Sequence, residues 1–307
     1  MTSKAASVLT SIQPVATGIK FGDQSAFSVD VEEWYQVGAF EHTLNRDDWP
    51  NLESRVERQT HKVLTLLDRH QVKGTFFCLG WVVERHPLLI KAIHNAGHEV
   101  ACHGRDHKRL FTMTRDQFLH DVEGAKAQLE DAIGVAVKGY RAPSFSLTPD
   151  IWWAYECLEE LGFSYSSSIY PVHHDHYGMP EAPRGPFWPI GAGRILEVPL
   201  SIYRFGRAWP ASGGGYFRLL PYILGEGLFS GSVRQSGLPG VFYMHPWEMD
   251  PDQPFVANAP WLSRFRHYTN QSRMAQKVGR LCDSRAWGRM IDIYSIAFEE
   301  SAGAGDQ

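Results

Sequence analysis

Seven short apolar runs, alternating with longer amphipathic stretches, constrain this chain more than any single residue does. The runs fall at residues 26–31, 74–79, 98–102, 137–141, 163–167, 195–200 and 241–245. Their length suits strands, and the stretches between them carry helical periodicity. Residues 52–70 place Val56, Val63, Leu66 and Leu67 on a helix, and residues 81–95 read as a second helix ended by Gly97. Thr114 with Gln117 matches a capping box. After it, Phe118, Val122, Ala125, Leu129 and Ala132 recur along one helical face until Gly134. Thr148-Pro149 opens a further helix, with proline at the first helical position. Repeated strand–helix alternation predicts an α/β fold with a parallel sheet, as a distorted or incomplete (β/α) barrel of about seven strands. A doubly wound sheet is the alternative.

Length and composition fit one such barrel. The chain has 307 residues, 43% of them hydrophobic, enough for a large core. Lys and Arg total 30 against 34 Asp and Glu, and no basic patch stands out, which argues against nucleic acid as a partner. Residues 1–22 are small and polar with no apolar h-region, and no run is long enough to span a membrane. The expectation is therefore a cytoplasmic protein, with peripheral attachment to the inner face of the membrane left open. Cys78, Cys102, Cys157 and Cys282 form no CxxC pair and read as reduced thiols. The organisation expected is a flexible segment at 1–22, a barrel with a C-terminal extension at 23–290 and a tail at 291–307. The stretch 170–193, dense in Pro, Gly and His, reads as a long loop over one face.

Four polar clusters close the predicted strands: Asp30-Val31-Glu32-Glu33, His103-Gly104-Arg105-Asp106-His107, Arg141-Ala142-Pro143 and His245-Pro246-Trp247. In a parallel barrel the carboxyl ends of the strands share one face, where active sites form, so residues far apart in sequence would converge. His103 and His107 offer two imidazoles at HxxxH spacing. Two histidines and a carboxylate leave a metal with open positions for chemistry. Alternation along a strand puts Asp30 and Glu32 on one face, with Val31 on the other and Glu33 alongside Val31. His42, His61, His70, His94 and His120 have no such setting and read as structural.

The order of these clusters resembles the polysaccharide deacetylase family over about residues 24–285. The motif Ser28-Val29-Asp30-Val31-Glu32-Glu33-Trp34 and the ending Phe242-Tyr243-Met244-His245-Pro246-Trp247-Glu248 are similar to the bacterial subgroup associated with exopolysaccharide loci. The resemblance implies one divalent metal ion, with zinc as the default and cobalt or nickel as alternatives, held by His103 and His107. It implies Asp30 as catalytic base, Arg141 as the residue that orients it, and His245 as general acid. Where family members have a second adjacent aspartate, this chain has Val31, so the third ligand moves to Glu32, or else to Glu33. Ser166 falls where many members carry the aspartate that pairs with the acidic histidine, leaving Asp175 or Asp250 as substitutes.

The implied reaction is hydrolysis of the N-acetyl group of an N-acetylhexosamine unit, in a polysaccharide or its lipid-linked precursor. Trp34, Tyr35, Tyr216 and Trp247 are candidates for stacking on sugar rings, and His174 for contacting substrate. Gly213-Gly214-Gly215 reads as a turn or as a close approach to substrate. Two competing readings remain: an amidohydrolase acting on a small cyclic amide or ureide, and a catalytically impaired glycan-binding module.

Overall fold

The first apolar run forms β1 (Ser25–Val31), in which every residue is buried. This is a computed structural model, and it describes residues 12–15, 19–173, 178–189 and 193–298. Along β1, Phe27, Val29 and Val31 join the main hydrophobic core, while Ser28 and Asp30 point the other way towards a buried arginine. Six further strands lie parallel to it: β2 (Thr75–Cys78), β3 (Glu99–Cys102), β4 (Gly139–Tyr140), β5 (Tyr165–Ser166), β6 (Leu196–Glu197) and β7 (Val241–Met244). Their order is β6-β5-β4-β3-β2-β1-β7. Among the described residues β6 and β7 are not paired with each other. The gap is filled by the chain around Ser201 and Ser212, where Val241 donates to Ser201 Oγ (2.8 Å) and Tyr243 to Ser212 O (2.9 Å). A two-residue strand, Trp287–Gly288, also pairs parallel with the start of β1, so among the described residues the fold is a distorted (β/α) barrel of seven principal parallel strands plus this short one.

The helices follow their sequence signals closely where capping chemistry is present. α1 (Val56–Arg69) buries Val56, Val63 and Leu67. The single helix expected over 81–95 is two, α2 (Gly80–Arg85) and α3 (Pro87–Asn95). Pro87 has no N–H to continue a ladder, so it starts a new helix and leaves His86 as the break. α4 (Arg115–Ile133) has the full capping box, with Gln117 N donating to Thr114 Oγ1 and Thr114 N to Gln117 Oε1, and it ends on left-handed Gly134. At Thr148-Pro149 only a 3-10 turn (Pro149–Ile151) forms before α5 (Ala154–Glu160). Later helices are α6 (Gly214–Leu219), α7 (Tyr222–Ser236), α8 (Trp261–Tyr268), α9 (Gln271–Cys282) and α10 (Met290–Ile293). Gly213-Gly214-Gly215 is therefore the entry to α6 and not a plain turn.

Both expected ends need correction. Within 1–22, Ile12–Pro14 is a strand paired antiparallel with Phe187–Pro189, which also makes an ordered strand inside the loop expected at 170–193. The described part of the expected tail is packed: Tyr294 and Ala297 are buried. The anchor is Glu99, at the amino end of β3, whose burial pushes its carboxyl up. It accepts from Tyr165 Oη (2.8 Å), Thr75 Oγ1 (2.6 Å) and Ile291 N (3.1 Å), and Met290 N donates to Thr75 Oγ1. Sequence patterning missed this because the partners are backbone N–H groups and single side chains far apart in the sequence. All four cysteines are free and buried.

A Glu99→Ala substitution leaves several buried donors without an acceptor. It should lower unfolding free energy by about 3 kcal/mol, read from denaturant midpoints, with Glu99→Gln recovering part of the loss.

Candidate functional site

The carboxyl ends of β1, β3, β4 and β7 converge on a cleft of about 230 Å³ that Asp30, Glu32, His103, His107, His245 and Trp247 help to line. Behind Asp30 lies Arg141, fully buried after β4. The guanidinium donates from Nη1 to Asp30 Oδ1 (2.6 Å) and Ser28 Oγ (2.9 Å), and from Nε and Nη2 to Ser167 O and Oγ (both 3.1 Å). Its carbon lies 4.0 Å from the centre of the Phe77 ring. A buried cation is tolerated only when paired and hydrogen-bonded, and these contacts supply both. Asp30 Oδ1 is thereby fixed, and Oδ2 lies 3.9 Å from His245 Nε2.

The backbone of Arg141 also sets one imidazole. Its carbonyl lies 2.8 Å from His103 Nδ1. A carbonyl can only accept, so Nδ1 carries the proton and the Nε2 lone pair is presented to the site. Burial pushes the His103 pKa down to about 4, which keeps the ring neutral at neutral pH. His107 follows in a loop and not on a helix, with positive φ at Gly104 (74°) and at His107 itself (53°). Arg46 holds that loop, donating to the carbonyls of Asp106 and His107 (the latter 3.0 Å). The two imidazole centroids are 5.4 Å apart.

Glu32 continues the Asp30 face of β1 and reaches the same point. Trp247 Nε1 donates to its Oε1 (3.1 Å), while Oε2 lies 2.7 Å from His107 Nε2. That Oε2 is buried and receives no hydrogen bond of acceptable geometry. Burial raises the Glu32 carboxyl, but the imidazoles of His107, His245 and His103 outweigh it and hold it at about 2. Ligand atoms from Glu32, His103 and His107 all lie within 4.8 Å of one another. A buried, under-satisfied carboxylate oxygen facing two imidazole nitrogens is the donor set of a divalent cation, so the residues present fit a metal. Glu33 points away and accepts from Ser54 Oγ and Arg55 N (3.0 Å to Oε2).

Sequence reading missed the partner of His245. Glu248, three residues on and fully buried, places Oε1 2.9 Å from His245 Nδ1 and also accepts from His245 N. A 3-10 turn (Pro246–Met249) brings the two together, and Arg218 Nε backs the carboxylate at 3.3 Å. Gly214 allows this approach, because a Cβ there would run into Glu248 Oε1. The signal was present as His-Pro-Trp-Glu, an i, i+3 pair opened by proline. Burial lowers the His245 pKa, but Glu32, Glu248 and Asp30 together raise it to about 9. Ser166 donates to Ser168 Oγ (2.7 Å), and Asp250 binds Arg55 (2.5 Å), so neither serves His245. Asp175 lies outside the described residues.

The aromatic candidates divide. Trp247 and the partly exposed Tyr216 line the cleft. Trp247 also stacks between His245 (4.9 Å) and His267 (4.4 Å), so it orients Glu32 and packs the general-acid candidate. Trp34 and Tyr35 are corrections: both are buried in a cluster with Phe40 and Trp49, and neither lines the cleft. They follow the strand end, where the chain turns under the rim and packs its large rings inward. His174 lies outside the described residues.

Comparison with known proteins gives matches over two segments of the chain. Residues 41–165 match the polysaccharide deacetylase family model, and residues 167–295 match a domain of unknown function, DUF3473. A peptidoglycan-N-acetylglucosamine deacetylase of Bacillus cereus is 35% identical over 103 residues, covering 34% of this chain and 36% of that protein. A peptidoglycan deacetylase of Helicobacter pylori is 30% identical over 119 residues, covering 37% of each. The chain thus spans roughly a third of the length of these curated relatives. A crystal structure from Mycobacterium smegmatis, provisionally described as a polysaccharide deacetylase, shares the fold with a TM-score of 0.60. It is 20% identical and aligns over 95% of this chain and 94% of its own. Residues 41–165 thus resemble the polysaccharide deacetylase family, and the chain as a whole shares its fold with the Mycobacterium smegmatis structure.

Proposed function

We propose that this protein is a metal-dependent carbohydrate deacetylase that hydrolyses the N-acetyl group of an N-acetylhexosamine unit. The observation that carries the reading is convergence on one cleft of a metal-type triad (Glu32, His103, His107), an arginine-held carboxylate (Asp30) and a carboxylate-held imidazole (His245). The family match over residues 41–165 and the named activities of the relatives support the same class of reaction. The substrate we propose is a polysaccharide or its lipid-linked precursor in exopolysaccharide biosynthesis, met on the cytoplasmic side. Zinc is the cation the ligand set favours, with cobalt or nickel able to replace it.

When bound, the cation supplies Lewis acidity towards the acetamide carbonyl and makes water a better nucleophile. The chain's own residues do the rest. Arg141 holds Asp30 in one orientation, so Oδ2 can take the proton of the attacking water. His245, kept protonated by the carboxylates around it, gives its Nε2 proton to the nitrogen as the C–N bond breaks. Glu248 Oε1, on Nδ1, keeps the ring aligned while that proton leaves. Water and amide thus become acetate and free amine.

Asp30→Asn and His245→Ala should each reduce acetate release from N-acetylglucosamine oligomers by roughly 10²–10⁴-fold, measured as kcat with the fold checked by circular dichroism. An Asp30→Asn protein with wild-type kcat would overturn the assignment, and activity confined to hydantoin-type cyclic amides would overturn the sugar substrate.

Metal analysis should find a bound divalent ion in the wild type, with stoichiometric binding lost in Glu32→Ala and His103→Ala but kept in Glu33→Gln. Trp247→Phe should weaken metal affinity roughly tenfold, because Glu32 loses the donor that orients it.

Glu248→Gln keeps the shape but not the charge beside His245. It should lower kcat by roughly tenfold to a hundredfold with little change in metal affinity.

A further inference from the structure

The short helix α8 presents two different faces. Ser263, Arg266 and His267 line the cleft. On the opposite side Trp261 is 71%, Phe265 52% and Leu262 39% exposed, and Phe255 just before the helix is 63% exposed. Large apolar side chains left in water at this density mark an interaction surface. Its electrostatic setting identifies the partner. Residues 253–282 contain Arg264, Arg273 and Arg280 but no Asp or Glu, within a chain whose net charge is −4, while Arg266 of the same stretch lines the cleft and Lys277 donates to backbone carbonyls. Arg264 lies over the Phe255 ring, with its guanidinium carbon 5.6 Å from the centroid, so charge and apolar surface are interleaved.

We infer that this face is a docking surface for a membrane carrying anionic lipid. Trp, Phe and Leu enter the boundary between headgroups and acyl chains, and the arginines meet lipid phosphate. No described helix is long and apolar enough to cross a bilayer, so attachment is peripheral. Because the opposite face of the same helix lines the cleft, docking holds the cleft within roughly one helix diameter, about 10 Å, of the lipid surface, near a membrane-held glycan.

The test is cosedimentation of the full-length protein with phosphatidylcholine vesicles, with and without about 30% phosphatidylglycerol. The anionic vesicles should bind it at least roughly tenfold more strongly, and the difference should collapse at about 0.5 M salt. The Trp261→Ser/Phe265→Ser double variant should lose at least roughly tenfold of that binding, yet deacetylate soluble oligomers with unchanged kcat and KM. Phe255→Ser serves as a milder second variant, and thermal melts confirm the fold of each. Wild-type protein that ignores anionic vesicles, or a double variant that binds like wild type, would overturn the inference. So would a double variant whose KM for soluble oligomers rises, since the aromatic face would then be a sugar platform. Vesicle binding needs no turnover, so its failure is distinguishable from failure of the deacetylase reading.

Discussion

A guanidinium with no access to solvent holds this site together. Arg141 meets the ends of β1 and β5 through its side chain and the histidine after β3 through its carbonyl. A charge in that position is costly unless every polar group around it is placed to receive it. Ser28, Asp30 and Ser167 are so placed, and the requirement runs both ways, since Asp30 is equally buried. Moving any one of these strands leaves a buried charge unmatched. The geometry of the Asp30 carboxylate and the tautomer of His103 are therefore consequences of satisfying one cation.

A second buried pair does the same on the other wall. Arg218 is enclosed and spends its donors on Glu248 and on the carbonyls of Arg266, His267 and Thr269. That ties the imidazole partner of the site to the helix on the cleft rim. The two matched families divide the machinery between them. His103, His107 and Arg141 lie in residues 41–165, whereas His245, Glu248 and Arg218 lie in residues 167–295. Asp30 and Glu32 precede both. A barrel can assemble a site this way because its strand ends are neighbours in space whatever their order in sequence.

Much of the candidate site was legible because its residues end apolar runs. Asp30, His103, Arg141 and His245 each close a strand, where a polar side chain has no core role to explain it. Strand alternation supported the choice of Glu32 over Glu33 that the family resemblance suggested, and Glu33 bonds Ser54 and Arg55. Trp34 and Tyr35 were misread because proximity to a motif says nothing about which way a ring packs. Glu248 was passed over because its role depends on a single turn and on the missing side chain of Gly214. The two-residue strands β4, β5 and β6 were overestimated in length, since apolar pattern continues after hydrogen-bonded pairing has stopped.

Sequence by itself determined the alternation that makes a parallel barrel, the capped helix after Thr114, and the set of polar residues available at strand ends. These are local properties, written in periodicity and capping chemistry. Only the tertiary structure decided which polar groups meet. Pairing His245 with Glu248 and not with Ser166 or Asp250, clamping the His107 loop with Arg46, and packing residues 290–298 through Glu99 all join positions whose compatibility depends on burial. Desolvation makes each such contact obligatory, and desolvation is not set until the chain has closed on itself.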